Sequence, residues 1–301
     1  MNKNIFYVAL LAITLFFSCS KDDNMDTSSD LYLSIADNSF EKILIAKGID
    51  SDGIVNQQML KSDAEDVEEL ELATLEFGSI ADLSGIEGFT SLKRLYANQN
   101  DIEQIDLGAN ILLEEIHLAG NYLSNINVSK NINLVLLDVR ANQLTTIIGL
   151  SELLKLKNLN LSFNYIEELS INNETLEVLH ISNNDLIFLD ISTAINLTNV
   201  LLTTNKLNTL DISSNKKLQT LLVSDNQLQS INLSKNVSLT HVYIASNFLE
   251  DLDVSNNQNL VELKIDRNPS LSCIKIANGQ RIPSVSLSNH QVQMIFVIKT
   301  V

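Results

Sequence analysis

The sequence predicts an α/β solenoid that is β-rich and weakly curved, built from about nine repeats of 21 residues with terminal caps. Three observations predict it. LEVLHISNNDL (176–186), LTNVLLTTNKL (197–207) and LQTLLVSDNQL (218–228) share the pattern Leu-x-x-(Leu/Val)-x-(Leu/Ile/Val)-x-x-Asn-x-Leu. The asparagine of that pattern recurs within a residue of 21 as Asn100, Asn121, Asn142, Asn164, Asn184, Asn205, Asn226, Asn247 and Asn268. Both halves of each unit alternate with period two. In the first half Leu218, Leu221 and Val223 alternate with Thr220, Leu222 and Ser224; the second halves read LDISSN (210–215), INLSKN (231–236) and LDVSNN (252–257). Such alternation describes extended chain, not helix.

The pattern is identified as the leucine-rich repeat. One repeat cannot bury its own apolar face, so the units must stack and cover one another. Two extended sides share a spacing of roughly 4.8 Å per repeat, which predicts a flattened array about 45 Å long. Each motif asparagine turns the chain, and its amide can pair with loop backbone that the turn would otherwise bury unpaired. The resemblance implies that these side chains stack as a structural ladder. Residues 144–163 depart from the consensus: Gly149 and the apolar run Leu150, Leu153, Leu154, Leu156 suggest one helical or 3₁₀ turn.

Residues 1–18 read as a lipoprotein signal, with Lys3 before an apolar run from Ile5 to Phe17 that is too short for an ordinary membrane-spanning helix. Leu15-Phe16-Phe17-Ser18-Cys19 resembles a bacterial lipobox, which implies cleavage before Cys19 and its acylation. Residues 19–34 are then the acylated cysteine and a flexible tether rich in Asp, Ser and Thr. Ser20-Lys21-Asp22-Asp23 resembles the acidic signal that marks some lipoproteins for the outer surface of Gram-negative cells.

Residues 35–85 are expected to cap the open end of the array. Asp37 or Ser39 is placed to cap a short helix with Phe40, Ile43 and Leu44 on its apolar face, stopped at Gly48. Asp50-Ser51-Asp52-Gly53 invites a calcium-loop reading. With Gly53 at the sixth place, however, the loop needs acids where Gly48 and Met59 stand, so a plain turn explains it. Repeats fill 86–275. Residues 276–301 form the C-terminal cap, in which the apolar run Met294–Ile298 is expected to cover the last repeat.

The formal charge of −17 opposes phosphate backbones and anionic lipid headgroups, so nucleic acid is not an expected partner and the membrane is reached only through the lipid. Cys273 is left without a disulfide partner if Cys19 is acylated. The chain has no Trp and so few aromatic platforms for sugar. It contains no His-Glu-x-x-His, Gly-x-Ser-x-Gly, phosphate-loop or dinucleotide motif. No catalytic residue, metal or cofactor is expected. His117, His180 and His241 fall on outward strand positions three repeats apart, about 14 Å, too far to share a metal.

The outward column Tyr96, His117, Asp138, Asn160, His180, Leu201, Leu222, Tyr243 and Lys264 is where a partner would bind. Leu201, Leu222 and Tyr243 form an apolar stripe there, which Val178, His180 and His241 are expected to extend. ADLSGIEGFTSLKRL (81–95) and the segment from Ile35 to Leu60 resemble bacterial internalin-like surface proteins. The resemblance implies a non-enzymatic, monomeric, outer-membrane lipoprotein that binds a protein partner in adhesion or recognition. The alternatives are a structural envelope scaffold without a soluble ligand and a glycan-handling enzyme.

Overall fold

A computed structural model describes residues 31–73 and 79–287, together with the backbone of Ile295–Lys299. The predicted signal, Cys19 and most of the tether lie outside the described residues. The dominant element is an 11-stranded parallel sheet. Nine of its strands are the three-residue segments of the predicted repeats, from Arg94–Tyr96 to Glu262–Lys264. Glu69–Glu71 from the cap and Ser284–Ser286 beyond the last repeat add one strand at each end. Pairing is in register throughout: Leu179 faces Val200, which faces Leu221, which faces Val242. The central residue of each repeat strand is buried and its two neighbours face outward. The apolar residues merge into one core running from Leu33 to Ile274.

The return side is also extended, as its alternation predicts, but its sheet is interrupted. Asn125–Asn127 pairs with Thr146–Ile148, Glu168–Ser170 with Phe188–Asp190, and Asp251–Asp253 with Cys273–Ala277. The strand Ile295–Lys299 pairs in parallel with Cys273–Ala277, so the C-terminal apolar run does add backbone to this side. The irregular stretch 144–163 contains the expected 3₁₀ turn, Leu150–Glu152. An equivalent turn, Ile86–Gly88, opens the array. Each follows a left-handed glycine, Gly85 (φ 100°) and Gly149 (φ 93°). A Cβ on Gly149 would stand 2.4 Å from the Ser129 backbone, so only glycine fits.

The motif asparagines are all buried. Asn205 is representative. Its Oδ1 accepts from the Leu186 N–H at 3.1 Å, and its Nδ2 donates to the Ile181 and Leu202 carbonyls, both at 3.0 Å. Every ladder residue thus ties its own turn to the preceding repeat. The residue before each asparagine is left-handed, with φ between 53° and 72°, including the bulky Phe163. The sequence reading missed a second ladder on the opposite edge. Asn110, Asn131, Asn173, Asn215, Asn236 and Asn257 are buried to 3% exposure or less. Asn236 Nδ2 donates to the Ile212 and Asn215 carbonyls, both at 2.9 Å, and Asn257 repeats this one turn later. Leu153 and Ala194 occupy this register where the asparagine is missing.

In the N-terminal cap, Asp37 caps the helix Asn38–Ala46 through Oδ1, accepting from Ser39 N–H at 2.7 Å and Phe40 N–H at 3.1 Å. Its Oδ2 accepts from Ala81 N–H at 2.8 Å, tying the helix to the segment that leads into the first repeat. Phe40, Ile43 and Leu44 are buried, as their spacing predicts. Asp52 serves a turn, accepting from Ile54 N–H at 2.7 Å and Asn56 Nδ2 at 2.8 Å. Asp50 is different. Its side chain is buried and neither carboxylate oxygen has a well-formed hydrogen bond. Burial, then the neighbouring charges of Asp52, Glu41 and Asp63, push its pKa up to about 6, while the Asp52 N–H offsets part of the shift.

Two predictions follow from this packing. Asn205→Ala leaves the Leu186 N–H unpaired and removes one of the two amide donors that each of the Ile181 and Leu202 carbonyls holds, and should cost about 1–3 kcal/mol in urea unfolding; an unchanged midpoint would refute the ladder's role. For Asp50, the folded state holds the proton more tightly than the unfolded chain, whose carboxyl titrates near 3.8. Its penalty is therefore absent below about pH 4, grows as pH rises, and is complete above about pH 6. Asp50→Asn should raise Tm at pH 7.5 and lose that advantage at pH 4. An advantage that stays constant across that range would exclude titration of Asp50 as the cause.

Candidate functional site

The outward column lies on adjacent strands of one sheet. Registers pair Tyr96 with His117, His117 with Asp138, Asp138 with Asn160, Asn160 with His180, His180 with Leu201, Leu201 with Leu222, and Leu222 with Tyr243. Leu201 and Leu222 are therefore lateral neighbours at a sheet spacing of roughly 4.8 Å. Both are half-buried by their own neighbours on the face. Val178 and His241 share a flanking column but do not meet, because Asn199 and Thr220 stand between them. The apolar patch is thus narrower than the six predicted residues suggest: two leucines bounded by His180 and Tyr243.

The boundaries are polar and organised. His180 is half-buried, and desolvation lowers its pKa, with Arg140 acting in the same direction and Asp138 against it. It lines a shallow cavity of about 230 Å³ whose walls include His117, Asp138, Asn160 and Val178. At the N-terminal end Tyr96 stacks on His117, ring centroids 4.6 Å apart. At the other end Tyr243 is committed within the molecule. Its hydroxyl donates a short hydrogen bond to Glu262, and Lys264 Nζ sits 3.8 Å from its ring centroid. The Tyr243 hydroxyl is the main cause holding the Glu262 carboxyl below its usual range. His241 is hydrogen-bonded to Thr240 Oγ1 at 2.9 Å. Tyr243 is therefore tied to Glu262 and Lys264 and is not a plain apolar member of the stripe.

Larger apolar side chains project elsewhere. The position after the ladder asparagine carries Tyr122, Tyr165 and Phe248, and Phe163 precedes Asn164; each is at least 50% exposed. On the opposite edge Ile111, Ile132 and Leu154 occupy one position in three successive repeats and are also exposed. These residues have fixed offsets from the two asparagine columns, so the repeat alignment itself contained the signal. Beside Tyr122 the return side opens into two adjoining cavities of about 370 and 480 Å³, which share Gln104 and Asn125.

No protein-family model matches the sequence, and no curated protein matches it. Solved structures do. The functional domain of InlJ from Listeria monocytogenes, which includes a cysteine ladder, is 23% identical with a TM-score of 0.71, over 89% of this chain and 61% of that one. This chain therefore spans about three fifths of that domain, and its own ladder positions hold asparagine. Internalin C2 from Listeria monocytogenes is 21% identical with a TM-score of 0.58, over 86% of this chain and 98% of that one. The leucine-rich repeat part of FLRT2, in an octameric complex with Latrophilin 3 and Unc5D, is 17% identical with a TM-score of 0.53, over 70% and 74%. With the register, the turns and the ladder, these likenesses establish that the chain has the internalin-like leucine-rich repeat fold.

Proposed function

We propose that this chain is a non-enzymatic lipoprotein of the bacterial cell surface that binds a protein partner through the strand face of its repeats. The carrying observation is the Leu201–Leu222 pair, in register on a rigid sheet and flanked by His180 and the Tyr243–Glu262–Lys264 group. An apolar centre with an ordered polar rim is the usual anatomy of a protein interface. A leucine-rich repeat domain in a multiprotein complex, that of FLRT2, is among the structures with this fold. The lipid assignment is supported by the residues around Cys19 and places the array outside the membrane on its tether. Among the described residues no helix is long and apolar enough to cross a membrane. The monomeric state and the outer-membrane address belong to the same reading.

Two measurements test it. A partner isolated with the wild-type chain should bind Leu222→Asp at least about tenfold more weakly, a loss of about 1.4 kcal/mol, with unchanged circular dichroism. Adding Tyr243→Ala should abolish the remainder by also releasing Glu262 and Lys264. Full affinity in the folded double variant would move the site off the strand face. Separately, Cys19→Ala should end palmitate labelling in a Gram-negative host and leave a precursor or soluble product; continued labelling would sink the anchor.

A further inference from the structure

The return side holds a second candidate site that the strand-face reading does not use. Residues 103–107 do not form a β-strand and make no β-pair with Asn125–Asn127, although that strand pairs normally with Thr146–Ile148 on its other side. A trough lies there beside the first repeats, formed by the two adjoining cavities that share Gln104 and Asn125. Glu103, Gln143 and the ring of Tyr122 complete one half of it. Tyr122 is 50% exposed and Tyr165 57% exposed. They occupy the same position two repeats apart, with Gln143 between them, a separation of roughly 10 Å at the sheet spacing.

We propose that this trough binds a neutral, linear oligosaccharide, with Tyr122 as its stacking platform. The argument rests on what the lining offers. Gln104, Asn125 and Gln143 are amides that both donate and accept, and the carboxylates of Asp82, Glu87, Glu103 and Asp106 add acceptors, the chemistry that pairs with rows of sugar hydroxyls. An exposed tyrosine ring supplies a flat apolar surface for the C–H face of a pyranose. Tyr165 recurs at a distance that suits alternate residues of an extended glycan, so longer chains engage both rings. A charge of −17 opposes polyanionic glycans and selects uncharged ones. A peptide is the poorer fit, because the apolar residues of the lining, Leu83, Ile86 and Ile105, are packed into the core and leave no exposed floor for peptide anchors.

Cellohexaose and N-acetylchitohexaose, titrated calorimetrically into the full chain in detergent, test the assignment. At least one should bind. Tyr122→Ala should weaken that binding roughly threefold to tenfold, while Tyr122→Phe, which keeps the ring, retains it. Tyr165→Ala should weaken the hexamer but leave the corresponding disaccharide, too short to reach both rings, unaffected. Leu222→Asp should change nothing, which separates this site from the protein-binding face. Failure of both hexamers to bind, or binding indifferent to Tyr122→Ala in a folded variant, overturns the proposal. So does loss of the protein partner on Tyr122→Ala without any oligosaccharide binding, which would make the trough part of a protein interface.

Discussion

Each turn of this solenoid drives loop backbone into the interior, where the β-ladder cannot reach it. An unpaired buried N–H or carbonyl carries a desolvation cost that a stacked array would incur at every repeat. The side-chain amide of one asparagine answers that cost because it offers a donor and an acceptor on a short, stiff arm. Asn121 shows the geometry: Oδ1 takes the Ile102 N–H, and Nδ2 reaches both the Ala97 and Leu118 carbonyls. A hydroxyl offers one donor and a carboxylate none, so neither could replace it in all three bonds. The second ladder uses only half of this capacity. In Asn110, Asn131, Asn215, Asn236 and Asn257 the Nδ2 bridges two carbonyls while the Oδ1 has no partner among the described residues; Asn173 instead donates to the Leu153 carbonyl and accepts from the Thr175 and Leu176 N–H groups. That poorer satisfaction fits its interruption at Leu153 and Ala194, where the array continues without an amide.

This division explains what could be read in the sequence. The first ladder was legible because its asparagine sits inside a recurring frame of aliphatic residues that fixes register. The second has nearly the same period, but it falls in the half-repeat where Asp, Ser and Asn also make surface turns. Asp211 accepts from the Ser213 N–H and Asn232 from the Ser234 N–H, so a further asparagine nearby carried no distinct mark. The left-handed column was invisible for another reason. Its occupants run from Gly120 through Asn183 to Phe163 and Arg267, because stacking overrides the intrinsic preference of each residue. The outward strand column was readable from period two alone. The grouping of Tyr243 with Glu262 and Lys264 was not, since it depends on side-chain reach between two columns and two repeats.

Charge adds a constraint on which surfaces can recognise anything. The excess of acid is spread over the cap and the edges, whereas the strand face balances its charges locally. Glu262 faces Lys264 at 3.5 Å, and Arg140 lies 3.7 Å from Asp138. Exposed pairs like these contribute little stability, but they fix the electrical pattern that a partner meets. The face between them is neutral at Leu201 and Leu222. It is also rigid, since every residue on it is held by two neighbouring strands, so little conformational entropy remains to be lost on binding.

The irregular units show how a periodic fold acquires local sites. Gly85 and Gly149 introduce left-handed turns that side-chain-bearing residues cannot copy without clashing, at Gly85 with Ser34 and Ile35 and at Gly149 with Ser129 of the preceding repeat. Each is followed by a 3₁₀ turn in place of the usual Asp-capped turn, and the return strands lose their pairing nearby. A cavity of about 300 Å³ lies beside Gly149, between Thr146 and Glu168, and the larger trough lies beside the turn that Gly85 begins. The strand side is unaffected, because its pairing is continuous past both breaks. Cavities thus open on the return side beside both irregular turns while the ladder and the long sheet preserve the frame. A regular sheet can present a flat face to a large partner, but a concave site for a slender ligand needs a place where the repeat fails to close.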